Sequence, residues 1–344
     1  MHAALLVPAP FDQVSGGYAY DRRMMQGLRA TGHRVDVVEL SGRYPLADNA
    51  ARDAACAAWD RLPEGTRPII DGLALPAFAG MQDALAARGC IGLIHHPTAL
   101  ETGFSAEDRE ALHAIEQRLF QHLHRIVVTS DPTAERLAKE FGVDPARIVT
   151  VVPGTDDAPR SQGSGGPGCA ILSVGTLVPR KGHDVLLRAL ARLFDLDWHL
   201  TIAGSPHRHP AHAQALVTLA EELRIADRVR FAGEVVDEAL EALWQGADLF
   251  ALATWFEGYG MAVAEALKRG LPVAVTSGGA AAALVQAESG VVCQPGDLDQ
   301  FAKALRRLIF DTELRREMAE VAWQSGQRLP NWDQQAQSFA AAIR

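Results

Sequence analysis

The sequence predicts an α/β protein of two doubly wound parallel-sheet domains that face each other across a cleft. Three features of the chain lead to this prediction. Short apolar runs recur along its 344 residues and alternate with longer segments of helical periodicity. The runs are continuous rather than alternating, which is typical of parallel strands covered by helices on both faces. A Gly- and Pro-rich stretch that is poor in apolar residues divides them into two series.

Twelve apolar runs are predicted as strands, because each is rich in β-branched residues and bounded by Gly, Pro, Asn, Asp or Ser. The first six are Ala3–Val7, Val35–Leu40, Pro68–Asp71, Ile91–His95, Arg125–Thr129 and Val149–Val152, and the second six are Ala170–Val174, Leu200–Ala203, Val229–Ala232, Leu249–Ala253, Val273–Thr276 and Gly290–Cys293. Open parallel sheets bind ligands beyond the carboxyl ends of their strands. The loops that follow strands are therefore expected to carry the chemistry.

The dividing stretch sets the expected domain boundaries. Residues 153–168 cannot bury a core and are predicted as a linker between a first domain, residues 1–152, and a second domain, residues 169–330. Asn331-Trp332 precedes an amphipathic final helix, which occupies residues 331–344.

Composition narrows the class of protein. A formal net charge of −9 argues against a nucleic-acid partner. The four cysteines form no CxxC pair, so we expect reduced, buried thiols and no zinc site. The N-terminus has no basic segment followed by a long apolar run, and no stretch approaches the roughly 20 apolar residues of a membrane span. We expect a cytoplasmic protein without a transmembrane segment, for which peripheral membrane contact stays open.

The segment from Ala253 to Pro272 gives the strongest functional signal. A turn follows a strand and leads into a predicted helix over Met261–Arg269, whose open N–H groups suit an anion. Glycines let a ligand approach the backbone of the turn, and carboxylates accept hydrogen bonds from sugar hydroxyls. The residues expected to bind a nucleotide or its sugar are Glu257, Gly258, Tyr259, Gly260, Met261 and Glu265. The alternative is that Glu265 pairs locally and Glu257 is solvated.

A second segment, Ile171–Leu187, reads as strand, loop and helix. Arg180 and Lys181 put two cations in this loop, where they would stabilise the negative charge of a departing diphosphate. The alternative is a solvated basic turn.

Two loops of the first half complete the candidate set. Gly16-Gly17 opens a helix after the first strand without forming a GxGxxG dinucleotide motif. His95 and His96 stand at the carboxyl end of a strand, and Glu101 follows them. An ordinary turn and a structural histidine pair are the respective alternatives.

The spacing of Glu257 and Glu265, within FEGYG and AEALKRGLPV, resembles the E-x7-E segment of the GT4-type (group 1) retaining glycosyltransferases. That family has the GT-B fold, in which two Rossmann-like domains face across a cleft and a C-terminal helix crosses back to the first domain. The resemblance covers nearly all of the second half and the first half more thinly. It implies that the second domain binds the nucleotide sugar and that the first lies on the acceptor side.

The resemblance also implies residue roles. Glu265 would hold the ribose, Glu257 the donor sugar, Arg180 and Lys181 the diphosphate, and the backbone of Gly16 and Gly17 would approach that diphosphate. A histidine close to the reacting sugar is implied as well, with His96 the first choice and His95 the second. Tyr18, Tyr20, Arg22, His95 and Glu101 are the candidates for the acceptor side.

The chain departs from the family pattern at two places. Thr176 stands where many members have an arginine after the glycine, which leaves Arg180 as the arginine available in that loop. The loop Thr276–Ala283 lacks the Pro-Glu that many members carry.

The expected function is therefore retaining transfer of a sugar from a nucleotide-diphosphate sugar, with a UDP-sugar favoured, to a glycan, lipid or small-molecule acceptor. No metal or other cofactor is expected. The pairs Asp195/Asp197 and Asp297/Asp299 read as DxD but follow no strand, and the histidines 207, 209 and 212 lie in a Pro-bounded loop, so all are taken as structural. A GT-B epimerase or phosphorylase, and a non-catalytic two-domain binding protein, are the alternatives.

Overall fold

The computed structural model describes residues 1–101 and 103–344, and it divides into two compact units. The first unit comprises Met1–Gly154 and Asn331–Arg344, and the second comprises Thr155–Pro330. Each contains one six-stranded sheet whose neighbouring strands are all parallel. The predicted α/β class is confirmed.

The sheet of the first unit has the strand order β2-β1-β3-β4-β5-β6. Its strands are β1 (His2–Pro8), β2 (Arg34–Leu40), β3 (Thr66–Asp71), β4 (Ile91–Ile94), β5 (Arg125–Val128) and β6 (Ile148–Thr150). The helices between them are α1 (Gly16–Ala30), α2 (Asn49–Arg61), α3 (Gln82–Ala87), α4 (Ala106–Phe120) and α5 (Asp131–Phe141). The strand order reverses between β1 and β3, which makes the loops after these strands the natural position for a ligand.

The sheet of the second unit has the order β12-β11-β10-β7-β8-β9. Its strands are β7 (Cys169–Val174), β8 (Trp198–Ala203), β9 (Val229–Gly233), β10 (Leu249–Leu252), β11 (Val273–Thr276) and β12 (Gly290–Cys293). Its helices are α6 (His183–Ala191), α7 (Pro210–Glu222), α8 (Asp237–Gln245), α9 (Met261–Lys268), α10 (Leu298–Phe310) and α11 (Thr312–Gln327). Here the order reverses between β7 and β10.

Burial explains why the run Ala3–Val7 in β1 is continuously apolar. In β1, Ala4 and Leu6 belong to the core on one face of the sheet, whereas Ala3, Leu5 and Val7 belong to the core on the other. A strand buried on both faces has no solvent-facing positions, so the alternation of a half-exposed strand is lost. All twelve predicted strands are present, with ends within two residues of their predicted positions.

The last helix, α12 (Trp332–Ala342), packs on α1 in the first unit, as predicted. Asn331 and Gln334 form a capping box at its start, and Phe339 joins the core beside Tyr20. Its packing against α1 is close, because a Cβ at Gly27 would overlap that of Ala336.

The segment predicted as a linker contacts the second unit. The Ser161 hydroxyl donates to the carbonyls of Gln245 and Ala247, and the Ser164 amide donates to Asp248. These hydrogen bonds give a core-poor segment a fixed course, and the division between the units falls between Gly154 and Thr155.

Three cysteines are buried, but Cys56 is exposed on α2, which corrects the expectation of four buried thiols. Among the described residues, no helix is both long and apolar enough to cross a membrane.

Candidate functional site

The two strongest motifs of the sequence meet at the reversal point of the second sheet. The loop with Arg180 and Lys181 follows β7, the turn with Glu257 follows β10, and these strands are direct neighbours. Parallel strands end at the same edge of a sheet, so segments far apart in sequence become adjacent. Residues 180 and 257 are brought together in this way.

Backbone contacts hold the two loops to each other. The Arg180 carbonyl accepts hydrogen bonds from the Trp255 amide at 2.8 Å and from the Thr254 hydroxyl at 2.9 Å. Gly182 follows at φ +65°, where a Cβ would overlap the Ala253 carbonyl oxygen. A glycine is needed here for both its conformation and its closeness to β10.

Glu257 lies between the two cations. Its Oε1 is 2.6 Å from Lys181 Nζ and 3.5 Å from the Arg180 guanidinium, and its side chain is only 9% exposed. Thr254 adds a hydrogen bond at 3.3 Å, and Arg180 also donates to the Phe256 carbonyl at 2.5 Å. Burial would raise the pKa of Glu257, but the charges of Lys181 and Arg180 outweigh it and lower the pKa. The carboxylate stays ionised, and the three side chains together carry one positive charge.

The turn after Glu257 leads into α9 through Gly258, Tyr259 and Gly260. Gly260 has φ +99°, precedes Met261 and, as the N-cap residue of α9, has no side chain with which to cap its first amides. Tyr259 is buried, which raises its pKa to about 12 and keeps its phenol neutral. The N-terminal amides of an eight-residue helix therefore follow directly on the ionised cluster.

The loop that departs from the family pattern supports this turn. The Glu257 amide donates to the Gly278 carbonyl at 2.9 Å, and the Ala280 amide donates to the Glu257 carbonyl at 2.8 Å. The loop after β11 thus fixes the backbone of Glu257 without any Pro-Glu sequence.

Glu265 lies one turn further along α9 and is half-buried. Arg269 is near it, but Glu241 takes the guanidinium in an ion pair at 2.5 Å. Burial raises the pKa of Glu265 to about 7, and the nearby Asp156 adds to the rise. For the alternative of local pairing, Glu265 would have to compete with Glu241 for Arg269, and this leaves the Glu265 carboxylate poorly compensated.

The glycine loop of the first unit behaves as a helix start. Ser15 caps α1, which begins at Gly16, and the backbone of Gly17 packs against the His95 ring. A Cβ at Gly17 would lie 3.2 Å from His95 Cδ2, which is tighter than ordinary contact. Absence of a side chain at Gly17 therefore allows the His95 loop to approach α1.

The tyrosines predicted to face an acceptor are instead part of the fold of this unit. Tyr18 and Tyr20 are 5% and 1% exposed, and their hydroxyls donate to the carbonyls of Pro8 and Val151. Arg22 donates to the carbonyls of Phe11 and Gln13 and so fixes the loop after β1. The Tyr18 ring packs against Phe11, and the Tyr20 ring packs against Trp332 and Phe339 of α12.

His95 has two buried acidic neighbours that the sequence analysis missed. Its Nε2 lies 2.9 Å from Asp21 Oδ1 and 3.8 Å from Asp71 Oδ2. Asp21 sits on α1 within the tract that contains the glycine pair, and Asp71 ends β3. The signal available for Asp71 was its position at the carboxyl end of a predicted strand. The sequence does not show which distant residues lie beside it.

His96 and Glu101 lie on the same loop and are both partly buried. Between them the chain forms a short 3-10 turn, Thr98–Leu100, which the buried Glu116 of α4 holds in place. Glu116 accepts hydrogen bonds from the Thr98 amide and hydroxyl at 2.7 and 2.8 Å and from the Ala99 amide at 3.0 Å. The loop that carries the histidines is thus anchored from beneath.

The acidic pairs set aside above have structural partners. Asp195 pairs with Arg306, Asp299 pairs with Arg192, and Asp297 caps α10. In the described residues, one group of side chains has the type and spacing to hold a metal ion, namely Asp21, Asp71 and His95, whose ligand atoms lie within 4.8 Å of one another. Of these three side chains, His95 and Asp21 already bind each other through a hydrogen bond.

The chain is similar in sequence to two glycosyltransferase families and to curated relatives. Residues 155–324 match the family described as "Glycosyl transferases group 1", and residues 71–158 match "Glycosyltransferase Family 4". The D-inositol 3-phosphate glycosyltransferase of Corynebacterium diphtheriae is 30% identical over 234 residues, which are 63% of this chain and 55% of that protein. The protein of the same name from Salinispora arenicola is 32% identical over 60% of this chain and 52% of its own length. The chain thus spans about half the length of these relatives.

Solved structures of low sequence identity share the fold. Sucrose-phosphate synthase from Thermosynechococcus elongatus superposes with a TM-score of 0.82 at 19% identity, over 99% of this chain and 98% of that chain. HepE from Anabaena in complex with UDP-glucose gives a TM-score of 0.78 at 16% identity, over 99% of both chains. The fold is therefore GT-B, with two Rossmann-like units. Because the two matched family profiles together run from residue 71 to residue 324, the chain belongs to the group 1 glycosyltransferases, glycosyltransferase family 4.

Proposed function

We propose that this chain is a retaining glycosyltransferase, which transfers a sugar from a nucleotide-diphosphate sugar to an acceptor hydroxyl without a metal ion. The observation that carries the proposal is the cluster of Arg180, Lys181 and Glu257 at the reversal point of the second sheet. Two cations held by one buried carboxylate keep a net positive charge, and the amides of α9 follow directly. This is an arrangement suited to a diphosphate.

In the proposed reaction the bond between the anomeric carbon and the diphosphate breaks, and its electron pair goes to the leaving phosphate oxygen. The acceptor oxygen bonds to the anomeric carbon on the same face, and its proton passes to that phosphate. Arg180 and Lys181 stabilise the charge that develops on the leaving group. Their orientation is set in advance by Glu257 and the Phe256 carbonyl, so little rearrangement is needed in the transition state.

The two carboxylates of the E-x7-E segment have separate tasks in this proposal. Glu265 accepts hydrogen bonds from the ribose hydroxyls, which would compensate a carboxylate that burial otherwise disfavours. The Glu257 carboxylate accepts a hydrogen bond from a donor-sugar hydroxyl through a lone pair that its ion pairs do not use. The loop of His95, His96 and Glu101 serves the sugar or the acceptor.

The donor and acceptor are proposed from the relatives and neighbours. The HepE complex makes UDP-glucose the first donor to examine, and the names of the curated relatives make D-inositol 3-phosphate the first acceptor. Glycan, lipid and other small-molecule acceptors follow.

A thermal-shift screen of UDP-, GDP- and ADP-sugars, followed by mass spectrometry of the products, tests the proposal. We expect one nucleotide sugar to raise the melting temperature and an added acceptor to gain the mass of one sugar. Nucleotide release that needs no acceptor would indicate an epimerase or hydrolase. Binding without turnover for any acceptor class would favour a binding protein.

Two further measurements address stereochemistry and metal. Proton NMR of the first-formed product should show the anomeric configuration of the donor, and inversion would contradict the mechanism. Activity should survive chelator, whereas loss that manganese or magnesium restores would contradict the metal-free assignment.

A further inference from the structure

The first unit has a polar cluster at the reversal point of its own sheet. His95 follows β4, Asp71 ends β3, and Asp21 lies on α1 after β1, so three neighbouring strands contribute one residue each. Asp21 and Asp71 are 1% and 3% exposed. Both acids are therefore buried, and each places a carboxylate oxygen near the same ring nitrogen, His95 Nε2.

The position of the imidazole ring is fixed from several sides. Gly17 lies against one edge, and Tyr20 packs edge-to-face at 5.3 Å between centroids. Tyr20 is itself anchored through its hydroxyl to the Val151 carbonyl. Because Nε2 is engaged by the two carboxylates, Nδ1 is the nitrogen left for another partner, on a side chain that is 24% exposed.

Among the described residues, the charged groups beside His95 are Asp21 and Asp71. Tyr20 also contacts the ring, but burial raises the pKa of Tyr20 and keeps its phenol neutral. Burial disfavours the imidazolium, but the charge and hydrogen bond of Asp21, with the charge of Asp71, outweigh it and raise the pKa of His95. Burial, with the charge of Asp21, raises the pKa of Asp71 to about 7. The two carboxyl groups therefore stabilise the protonated imidazole, and Asp71 takes up a proton more readily than an ordinary carboxyl group.

We propose that Asp21 and Asp71 are positioning residues for His95: they turn Nε2–H inward and present Nδ1–H as a hydrogen-bond donor to the oxygen of a sugar or acceptor hydroxyl. The identity of that substrate rests on the function proposed above, but the orientation of the ring does not. The proposal therefore makes His95, rather than His96, the histidine that donates a hydrogen bond to the substrate.

Histidine NMR tests the orientation without any substrate. With ¹⁵N-histidine labelling, and His95→Gln to assign the signal, wild-type His95 should carry its proton on Nε2 when neutral and titrate above the ordinary value of about 6.5. Asp21→Asn should lower the titration midpoint, and Asp71→Asn should lower it less. Asp36→Asn is the control, because it removes the acid that lies 2.6 Å from another histidine, His2, and should leave the titration of His95 unchanged.

Several results would overturn the proposal. They are an unchanged His95 midpoint in a folded Asp21→Asn protein, a neutral tautomer with the proton on Nδ1, or stoichiometric Zn²⁺ binding that Asp21→Asn abolishes.

In the transferase assay, activity should fall as the pH rises through the His95 midpoint, and Asp21→Asn should move that fall to lower pH. A uniform loss of activity with no movement of the profile would mean a merely structural acid. If no substrate is found, the NMR arm still decides the orientation.

Discussion

Lys181 Nζ lies 2.6 Å from Glu257 Oε1, and both side chains are largely withdrawn from water. Removing one partner of such a pair leaves the other charge buried and poorly compensated. Since Arg180 stays 3.5 Å from the carboxylate, we expect Lys181→Ala to lower the free energy of unfolding by about 1–3 kcal/mol. The same variant should abolish detectable transfer, because it also removes a phosphate-binding cation. Urea unfolding and the transferase assay measure the two effects.

Lys139→Ala is the control for this comparison. Lys139 pairs with Glu135 at 2.9 Å on α5, but both side chains are exposed to solvent. Exposed pairs add little to stability, so no measurable change is expected. Equal losses in the two variants would show that the burial of the Lys181 pair has no energetic consequence.

The second prediction concerns Glu265. If this carboxylate binds ribose hydroxyls, Glu265→Ala should weaken UDP binding by roughly 1–3 kcal/mol, the usual worth of hydrogen bonds to a charged group. Isothermal titration calorimetry gives the difference directly. Glu222→Ala, an exposed acid at the end of α7, should bind as the wild type does. Unchanged affinity in a folded Glu265→Ala protein would remove the residue from the nucleotide site.

Glu265 also predicts a pH dependence of stability. Its pKa is raised by burial to about 7 in the folded protein, above the ordinary value for a glutamate, so the folded state holds a proton that the unfolded state releases. Stability therefore falls as the pH rises from about 4.5 towards 7 and is level above that. Glu265→Gln should flatten this part of the profile, as measured by urea unfolding at a series of pH values. A profile identical to that of the wild type would contradict the raised pKa.

The sequence predicted the fold well because burial on both faces leaves a direct mark on each strand. The runs at Ala3–Val7 and Val273–Val275 are apolar at every position for that reason, and both lie in strands. The turn with Glu257 and the loop with Arg180 were also found, since glycines and charges stand out after a strand.

What escaped prediction depends on contacts between distant segments. The ion pair of Lys181 with Glu257 joins residues 76 positions apart, and His95 meets Asp21 across 74. Nothing in either local sequence encodes the partner. Tyr18 was a candidate for the acceptor side, but its ring is buried against Phe11 and its hydroxyl donates to the Pro8 carbonyl, contacts that the local sequence does not encode.

Glycine 182 gives a prediction about backbone geometry. Ala at this position must adopt a positive φ and also overlap the Ala253 carbonyl, so Gly182→Ala should destabilise the protein by about 3 kcal/mol or more. Gly233 also has a positive φ, +71°, but nothing lies within 4 Å of its added Cβ. Gly233→Ala should therefore cost only the conformational penalty of about 1–2 kcal/mol. Similar losses in chemical denaturation would show that closeness to β10 is unimportant.

Glu116 gives the last prediction, on the loop that carries the histidines. Glu116→Ala removes the acceptor for the Thr98 amide, the Thr98 hydroxyl and the Ala99 amide, and buried donors without partners are costly. We expect a loss of about 2–4 kcal/mol in the free energy of unfolding and faster hydrogen exchange at Thr98 and Ala99. The loss of unfolding free energy in Glu116→Gln should be smaller than in Glu116→Ala. Glutamine keeps one oxygen as the acceptor for Thr98, but it places an NH2 group against the Ala99 amide. Glu110→Ala, an exposed acid on the same helix, should change neither measurement. If exchange at Thr98 is unaffected by Glu116→Ala, then the loop is held by its own backbone, and Glu116 has no part in placing His95 and His96.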